Sequence, residues 1–252
     1  MVTAGVQIAR PPEFIKLLAN DLRWALLKAL IVGDYQVNEL VEQVQQPMNL
    51  VSYHLKKMRD DALITMRRSE ADGRDVYYSL DLDRLHVLFL NAGMALHPSL
   101  GVQLPTVDVA HVVPQRVLFV CTHNSARSQM AEGLLRSLSK GHLEVYSAGS
   151  HPTSIHPDAI RIMDLMDIDI RGQKPTHFRE LEDQSFDVVI TVCDKAREIC
   201  PTFPGKATQL HWGFADPSAI EDKEQRLQAF EQTARKLKSR IGYFLSTLPL
   251  QS

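Results

Sequence analysis

The sequence predicts two domains of different class. One is a largely helical unit with a two-stranded hairpin over residues 12–96; the other is an α/β unit over residues 116–252 whose parallel four-stranded sheet is flanked by helices. Three observations carry this expectation. Apolar residues recur at helical spacing from Phe14 to Leu30. Short apolar strands alternate with helical stretches from Val117 onward, the pattern of a parallel sheet covered on both faces. Between the two, His97 to Pro114 contains Pro, Val and Ser without a clear period, and residues 97–115 read as a linker. Residues 1–11 read as a flexible N-terminus.

In the first half, Phe14, Leu17, Leu18, Leu22, Leu26 and Leu30 line one face of a single helix that Gly33 and Asp34 close. A short amphipathic segment, Val37 to Val44, follows. Pro47 suits the start of the next helix, from about Met48 to Arg59, because its missing N–H would be unpaired there anyway. Leu63 to Met66 and Val76 to Leu80 read as strands joined by a turn at Ala71-Asp72-Gly73-Arg74. A further helix runs from Asp81 to about Leu96. Helix, short helix, turn, helix and a two-stranded wing is the order of a winged helix–turn–helix domain.

In the second half the strands are Val117–Val120, Val145–Ser147, Val188–Val192 and, more weakly, Thr208–His211. Helices are expected from Ser125 to Leu138 and from Ile155 to Met166. The last helix carries Leu227, Phe230, Ala234, Leu237, Ile241 and Leu245 along one face.

Composition narrows the function. An apolar fraction of 44% and a charged fraction of 23% are those of a soluble globular chain. A net charge of -2 argues against a uniformly basic nucleic-acid coat and leaves room for a local basic patch. No apolar run approaches the ~20 residues that span a bilayer, and Met1 to Pro12 holds no signal-type stretch, so a cytoplasmic location is expected. The 3 cysteines all lie in the second half. An odd number without a secretion signal points to reactive thiols rather than to a disulfide framework.

The most informative stretch is Cys121-Thr122-His123-Asn124-Ser125-Ala126-Arg127-Ser128, between an apolar strand and a helix. Such a loop aims successive backbone N–H groups at one point beside a helix N-terminus, and there a tetrahedral oxyanion binds. The same field is expected to lower the pKa of Cys121 and make it a nucleophile. Arg127, in a C-x5-R spacing, offers a planar fork to two anion oxygens. Ser128 is placed to donate to the thiolate. Asp216, in Trp212-Gly213-Phe214-Ala215-Asp216-Pro217, is the candidate general acid on a loop over the site.

These segments resemble the low-molecular-weight tyrosine phosphatase fold and, more closely, the thioredoxin-coupled arsenate reductases built on it. The matching stretches are CTHNSARSQMAE from Cys121, VYSAG from Val145, VVITVCDKAREICP from Val188 and HWGFADP from His211. A phosphatase needs one cysteine, an arginine and an acid; it has no use for Cys193 and Cys200. Reduction of arsenate needs two electrons, which thiols supply by forming a disulfide. The resemblance implies a nucleophile at Cys121, a relay through Cys193 to Cys200, arsenate held by residues 122–128, no bound cofactor, and thioredoxin as electron donor. Two alternatives stay open: a tyrosine-phosphatase-like hydrolase, and a redox- or arsenic-responsive regulator whose C-terminal domain senses rather than turns over. Some relatives bind potassium near the loop. Asn124, Glu132 and Ser147 fall on matching positions, but Thr176 stands where an acid is expected, so no metal is assigned.

Residues 12–96 resemble the arsenic-repressor (ArsR) family of dimeric transcription factors, through Val51-Ser52-Tyr53-His54-Leu55-Lys56-Lys57-Met58 and Asp75-Val76-Tyr77-Tyr78. The resemblance implies a homodimer on double-stranded DNA, with the second helix in the major groove. Asn49, Ser52 and Tyr53 are placed for base edges, and Lys56, Lys57, Arg67, Arg68 and Arg74 for phosphates. The Val37–Glu42 segment has no thiol to hold arsenite. Asp83, His86 and His97 hint at a zinc set on the last helix, but Arg84 and Leu100 occupy positions where acids would be needed.

Overall fold

A computed structural model describes residues 10–101 and 109–250. Residues 1–9 of the expected N-terminal tail and residues 102–108 of the expected linker lie outside the described residues.

The C-terminal sheet is built on β4 (Arg116–Cys121), whose residues from Val117 to Cys121 are all buried. β4 pairs in parallel with β5 (Glu144–Gly149) on one side and β6 (Val188–Thr191) on the other, and β7 (Thr208–His211) completes the order β5-β4-β6-β7. Helices α6 (Arg127–Leu138), α7 (Pro157–Asp164), α8 (Asp194–Ile199) and the long α9 (Lys223–Thr247) are the helical partners of this sheet. Burial on both faces explains why β4 and β6 read as continuous apolar runs rather than alternating ones. The chain steps from β4 outward to β5, then returns to the other side of β4 for β6. The strand order therefore reverses between β4 and β6, and ligands of open α/β sheets bind at the carboxyl ends of strands at such a reversal. Cys121 ends β4, and Cys193 follows β6 by two positions.

The N-terminal residues form α1 (Glu13–Leu18), α2 (Asp21–Val32), β1 (Tyr35–Gln36), α3 (Val37–Val44), α4 (Met48–Asp60), β2 (Ile64–Arg68), β3 (Val76–Leu80) and α5 (Leu82–Leu96). Two features differ from expectation. The single helix expected from Phe14 to Leu30 is broken at Ala19–Asn20. Asn20 leaves helical geometry and its side chain accepts from the Arg23 N–H at 3.1 Å, so α2 begins anew with its own cap. The hairpin also has a third strand: Tyr35 and Gln36 pair with Tyr78 and Tyr77, in the order β1-β3-β2. Inside, Leu26, Leu30, Leu40, Val51, Leu55, Met58, Leu63 and Ile64 make a core separate from that of the C-terminal sheet. The far end of the expected linker joins the second core, since Val109 and Val112 are buried there.

The two cores are joined by a polar seam. Asp34, 1% exposed, pairs with Arg240 of α9 and accepts the Gly213 N–H at 2.7 Å. The Asp34 N–H donates to the His211 carbonyl, and the Trp212 indole donates to the Val32 carbonyl at 3.0 Å. The β2–β3 hairpin reaches further, and Arg67 pairs with Asp194 through Nη1 and Nη2, at 2.5 and 2.8 Å. A side chain at Gly213 would collide with the Arg67 guanidinium, so glycine there permits the approach.

Candidate active site

The loop from Cys121 to Arg127 is held by its surroundings rather than by its own regularity. The carbonyls of Thr122, His123 and Ser125 accept from the N–H groups of His151, Thr153 and His156. A planar trans peptide points its N–H away from its carbonyl, so the amide that follows the His123 carbonyl faces the opposite side, toward Cys121. The Asn124 N–H reaches the Cys121 sulfur at 3.1 Å. Asn124 has φ of 45°, a left-handed conformation that asparagine tolerates better than most residues. Its side chain is fixed at both ends: Nδ2 donates to Ser128 Oγ and Ser147 Oγ at 2.9 and 2.8 Å, and Oδ1 accepts the Thr176 N–H at 2.7 Å. Ser147 in turn donates to Glu132 at 2.6 Å. The positions aligned with a potassium set, Asn124, Ser147 and Glu132, are thus joined directly to one another. Gly149 lies against the loop, where a Cβ would come within 2.6 Å of the Thr122 carbonyl oxygen.

Cys121 Sγ sits 2.8 Å from Ser128 Oγ, as the sequence suggested. The expected drop in its pKa is not found in this arrangement. Burial pushes the thiol up and the neighbouring Cys193 adds to it, while Ser128, Arg127 and the Asn124 N–H pull the other way. Burial is the largest of these effects, and the opposing pull comes in part from an Arg127 charge that is already shared. Arg127 Nη2 pairs with Asp216 at 2.9 Å, and Nη1 donates to the Phe214 carbonyl at 2.7 Å and to Glu70 at 3.2 Å. Burial alone would raise the Asp216 pKa, but Arg127, Ser218 and His123 outweigh it and hold the carboxyl below its ordinary range. In this arrangement Asp216 is a carboxylate.

Cys193, 2% exposed, lies 3.4 Å from Thr122 Oγ1 and caps the N-terminus of α8, where its sulfur accepts the Ala196 N–H. Cys200 is the C-cap of the same helix, and burial pushes its thiol up to about 11. All three cysteines are free. At a rise of ~1.5 Å per residue, seven helical steps separate Cys193 from Cys200 by roughly 10 Å. A disulfide needs Cα atoms within about 7 Å, so α8 must unwind before these two can bond.

Sequence reasoning singled out Cys121, Thr122, His123, Asn124, Ser125, Ala126, Arg127, Ser128, Cys193 and Asp216, and the structure gathers them at one end of the sheet; Cys200 stays at the far end of α8. It missed two acids. Glu70, on the hairpin, contacts Arg127 with one oxygen and accepts the Asp216 N–H with the other, at 2.8 Å. Asp194, 1% exposed, takes Arg67, the Glu70 N–H and His211 Nε2. Burial opposes its ionisation, yet those three partners hold it far below the ordinary carboxylate range. Nothing local marks Glu70, a hairpin-turn acid; Asp194 had one faint signal, its place directly after Cys193.

Of the candidate DNA contacts, Asn49, Ser52, Tyr53, Lys56 and Lys57 lie exposed on α4, and Arg68 and Arg74 are exposed on the hairpin. Arg67 is a correction: its guanidinium is turned into the domain seam and engaged by Asp194, so it does not belong with the phosphate contacts. Asp83 accepts from Ser239, and His97 contacts Ser99.

Residues 116–251 match the family described as low molecular weight phosphotyrosine protein phosphatase. An arsenate reductase of Oceanobacillus iheyensis is 36% identical over 132 residues, which cover 52% of this chain and 95% of that protein. An arsenate reductase of Shouchella clausii is 37% identical over 134 residues, with the same two coverages. A solved structure described as an arsenate reductase in the phosphate binding state is 30% identical, with a TM-score of 0.45, and covers 54% of this chain and 99% of its own. No helix among the described residues is long and apolar enough to cross a membrane. Through residues 116–251 the chain is an enzyme of the low molecular weight phosphotyrosine protein phosphatase family.

Proposed function

We propose that the C-terminal domain reduces arsenate to arsenite with its own thiols, and that the N-terminal domain is a winged helix–turn–helix that binds double-stranded DNA as a regulator. The observation that carries the first reading is the placement of Cys121 and Cys193 at the ends of two adjacent strands, with Cys200 one short helix away.

Cys121 attacks arsenic, and one arsenate oxygen leaves as water with a proton from Asp216. Arg127 and the loop amides hold the remaining oxygens. For this, Arg127 turns from Asp216 to the anion; the nearby negative charge and the lost ion pair then raise the Asp216 pKa toward that of a proton donor. Cys193 attacks Cys121 Sγ, the S–As bond breaks with its electron pair going to arsenic, and arsenite leaves with a Cys121–Cys193 disulfide behind. Cys200 attacks Cys193, frees Cys121 as a thiolate, and the Cys193–Cys200 disulfide is reduced by the dithiol of thioredoxin.

Single-turnover and multiple-turnover arsenate reduction by Cys193→Ser and Cys200→Ser variants tests this. Full multiple-turnover activity in either sinks the relay. Hydrolysis of p-nitrophenyl phosphate without arsenate-dependent NADPH oxidation, in the presence of thioredoxin and its reductase, would favour a phosphatase.

The DNA reading is supported by the exposed polar face of α4 and by Arg68 and Arg74. Exposed Ile15, Val87, Phe89 and Met94 on α1 and α5 support a homodimer. Fluorescence anisotropy with the DNA upstream of its own gene, across a salt series, checks it; affinity equal for all sequences counts against a repressor. One observation favours the sensing alternative as well. Helix α8 touches the N-terminal domain at both Asp194 and Arg197, the latter paired with Glu39 of α3. Release of DNA on oxidation of the relay, combined with slow turnover, would support that reading.

A further inference from the structure

The Arg127 guanidinium is shared by two carboxylates from different parts of the chain. Asp216 belongs to the catalytic loop, but Glu70 arrives on the β2–β3 hairpin of the N-terminal domain. Its two oxygens divide between Arg127 Nη1 and the backbone N–H of Asp216, so one side chain spans the anion-binding arginine and the loop above it. The hairpin has little freedom to withdraw it. The Glu70 N–H donates to Asp194 at 2.7 Å, and Arg67 pairs with the same buried carboxylate.

We propose that Glu70 is a charge gate on the oxyanion site: a carboxylate supplied by the N-terminal domain against which every incoming tetrahedral anion must bind. Two negative side chains on one guanidinium leave no net positive charge to attract a third anion. Arg127 Nη1 carries Glu70 and the Phe214 carbonyl, while Nη2 carries Asp216. An anion must displace Asp216 from Nη2, and it then faces Glu70 across the guanidinium. The gate acts by charge, so it discriminates against doubly charged anions more than singly charged ones. The titratable and charged groups around it are Arg127, Asp216, His123, Cys121 and Cys193 on the active-site side, and Arg67 and Asp194 on the seam side. By linkage, whatever loosens the hairpin tightens anion binding, and an anion that pulls Arg127 away loosens the hairpin.

The proposal rests on residues 121–128 being an oxyanion loop, and inorganic phosphate is a probe that separates the two ideas. Its equilibrium binding to the full chain is measured by calorimetry for wild type, Glu70→Gln and Glu70→Ala. Glu70→Gln keeps the shape and a hydrogen bond to Arg127 but removes the charge. We expect phosphate to bind about fivefold more tightly to both variants, the scale of one unit charge across a guanidinium in a partly solvated site. The gain is to be larger above the second ionisation of phosphate than below it. In turnover, KM for arsenate falls in Glu70→Gln. Affinity unchanged in Glu70→Gln, or weakened in both variants, overturns the gate and leaves Glu70 as a positioning group for Arg127. A gain equal on both sides of that ionisation overturns the charge mechanism. Failure of phosphate to bind any of the three proteins overturns the oxyanion-loop reading, and the gate with it.

Discussion

Arg67→Ala tests whether the seam between the two domains is structural. Asp194 is 1% exposed in its side chain and Arg67 22%, and they share two hydrogen bonds. Removing one partner of a buried pair costs about 3–5 kcal/mol, because the other charge is left without its counterion. Asp194 would keep His211 and the Glu70 N–H, so the lower end applies, about 3 kcal/mol. For a chain of this size each kcal/mol lowers Tm by about 2–4 °C, which gives a fall of roughly 6–12 °C in thermal unfolding of the full chain. Exposed pairs are screened by salt, whereas this effect should persist at high ionic strength.

The pH dependence has a definite sign. The Asp194 carboxyl is held far below its ordinary pKa in the folded protein. Its contribution is therefore fully present above the unfolded pKa, about 3.9, and is lost as pH falls through the folded value. The gap between wild type and Arg67→Ala should be constant from neutral pH down to about pH 4 and shrink below it. Replacing both partners, as Arg67→Met with Asp194→Asn, removes the stranded charge and should recover most of the loss. A Tm for Arg67→Ala within about 2 °C of wild type would refute the reasoning, since a difference under about 1 kcal/mol is what an exposed, solvent-shared pair gives.

Gly149→Ala should leave the fold intact and abolish most oxyanion binding, because its Cβ would press within 2.6 Å of the Thr122 carbonyl and shift the loop backbone; phosphate affinity beside a circular dichroism spectrum checks this. The pH profile of Cys121 alkylation should inflect above the ordinary thiol value of about 8.5 and move down in Cys193→Ser, since Cys193 is among the causes that raise it. Glu39→Gln should speed transfer of the disulfide to Cys193–Cys200 by a few-fold, since it removes a half-exposed pair worth about 1 kcal/mol that holds α8 folded; quenched-flow thiol trapping reads the rate.

The site was legible in the sequence where its logic is local. Cys121, Asn124, Arg127 and Ser128 sit within one strand–loop–helix unit, so their proximity can be read from adjacency in the chain, and Asn124 and Ser128 both reach the Cys121 sulfur. Asp216 was legible only through the company it keeps. What escaped was long-range. Arg67 and Asp194 are 127 positions apart; Arg67 reads as a phosphate contact and Asp194 as a charge beside Cys193, and nothing in the sequence pairs them. Arg127 and Glu70 are 57 apart and belong to different domains. The same holds for the fold. A strong cap at Asn20 outweighed a continuous apolar stripe, and β1 is a 2-residue strand too short to leave a period.

These long-range contacts change what the N-terminal half is for. Had the two domains been merely tethered, the relay helix α8 would have faced solvent on its outer side. Instead Asp194 at its first turn is held by Arg67 and by the Glu70 amide, and Arg197 in its last turn is held by Glu39 and lies over the Tyr77 ring. Cys193 and Cys200 stand roughly 10 Å apart along that helix, so the proposed relay can finish only by unwinding it. Unwinding α8 strains the pairs with β2 and with α3. In the proposed relay the Cys193–Cys200 disulfide and the docked N-terminal domain therefore oppose each other, and by reciprocity anything that stabilises the docked arrangement disfavours that disulfide at equilibrium. In the proposed mechanism the hairpin thus meets the reaction twice, once at Arg127 through Glu70 and once at α8 through Arg67 and Asp194.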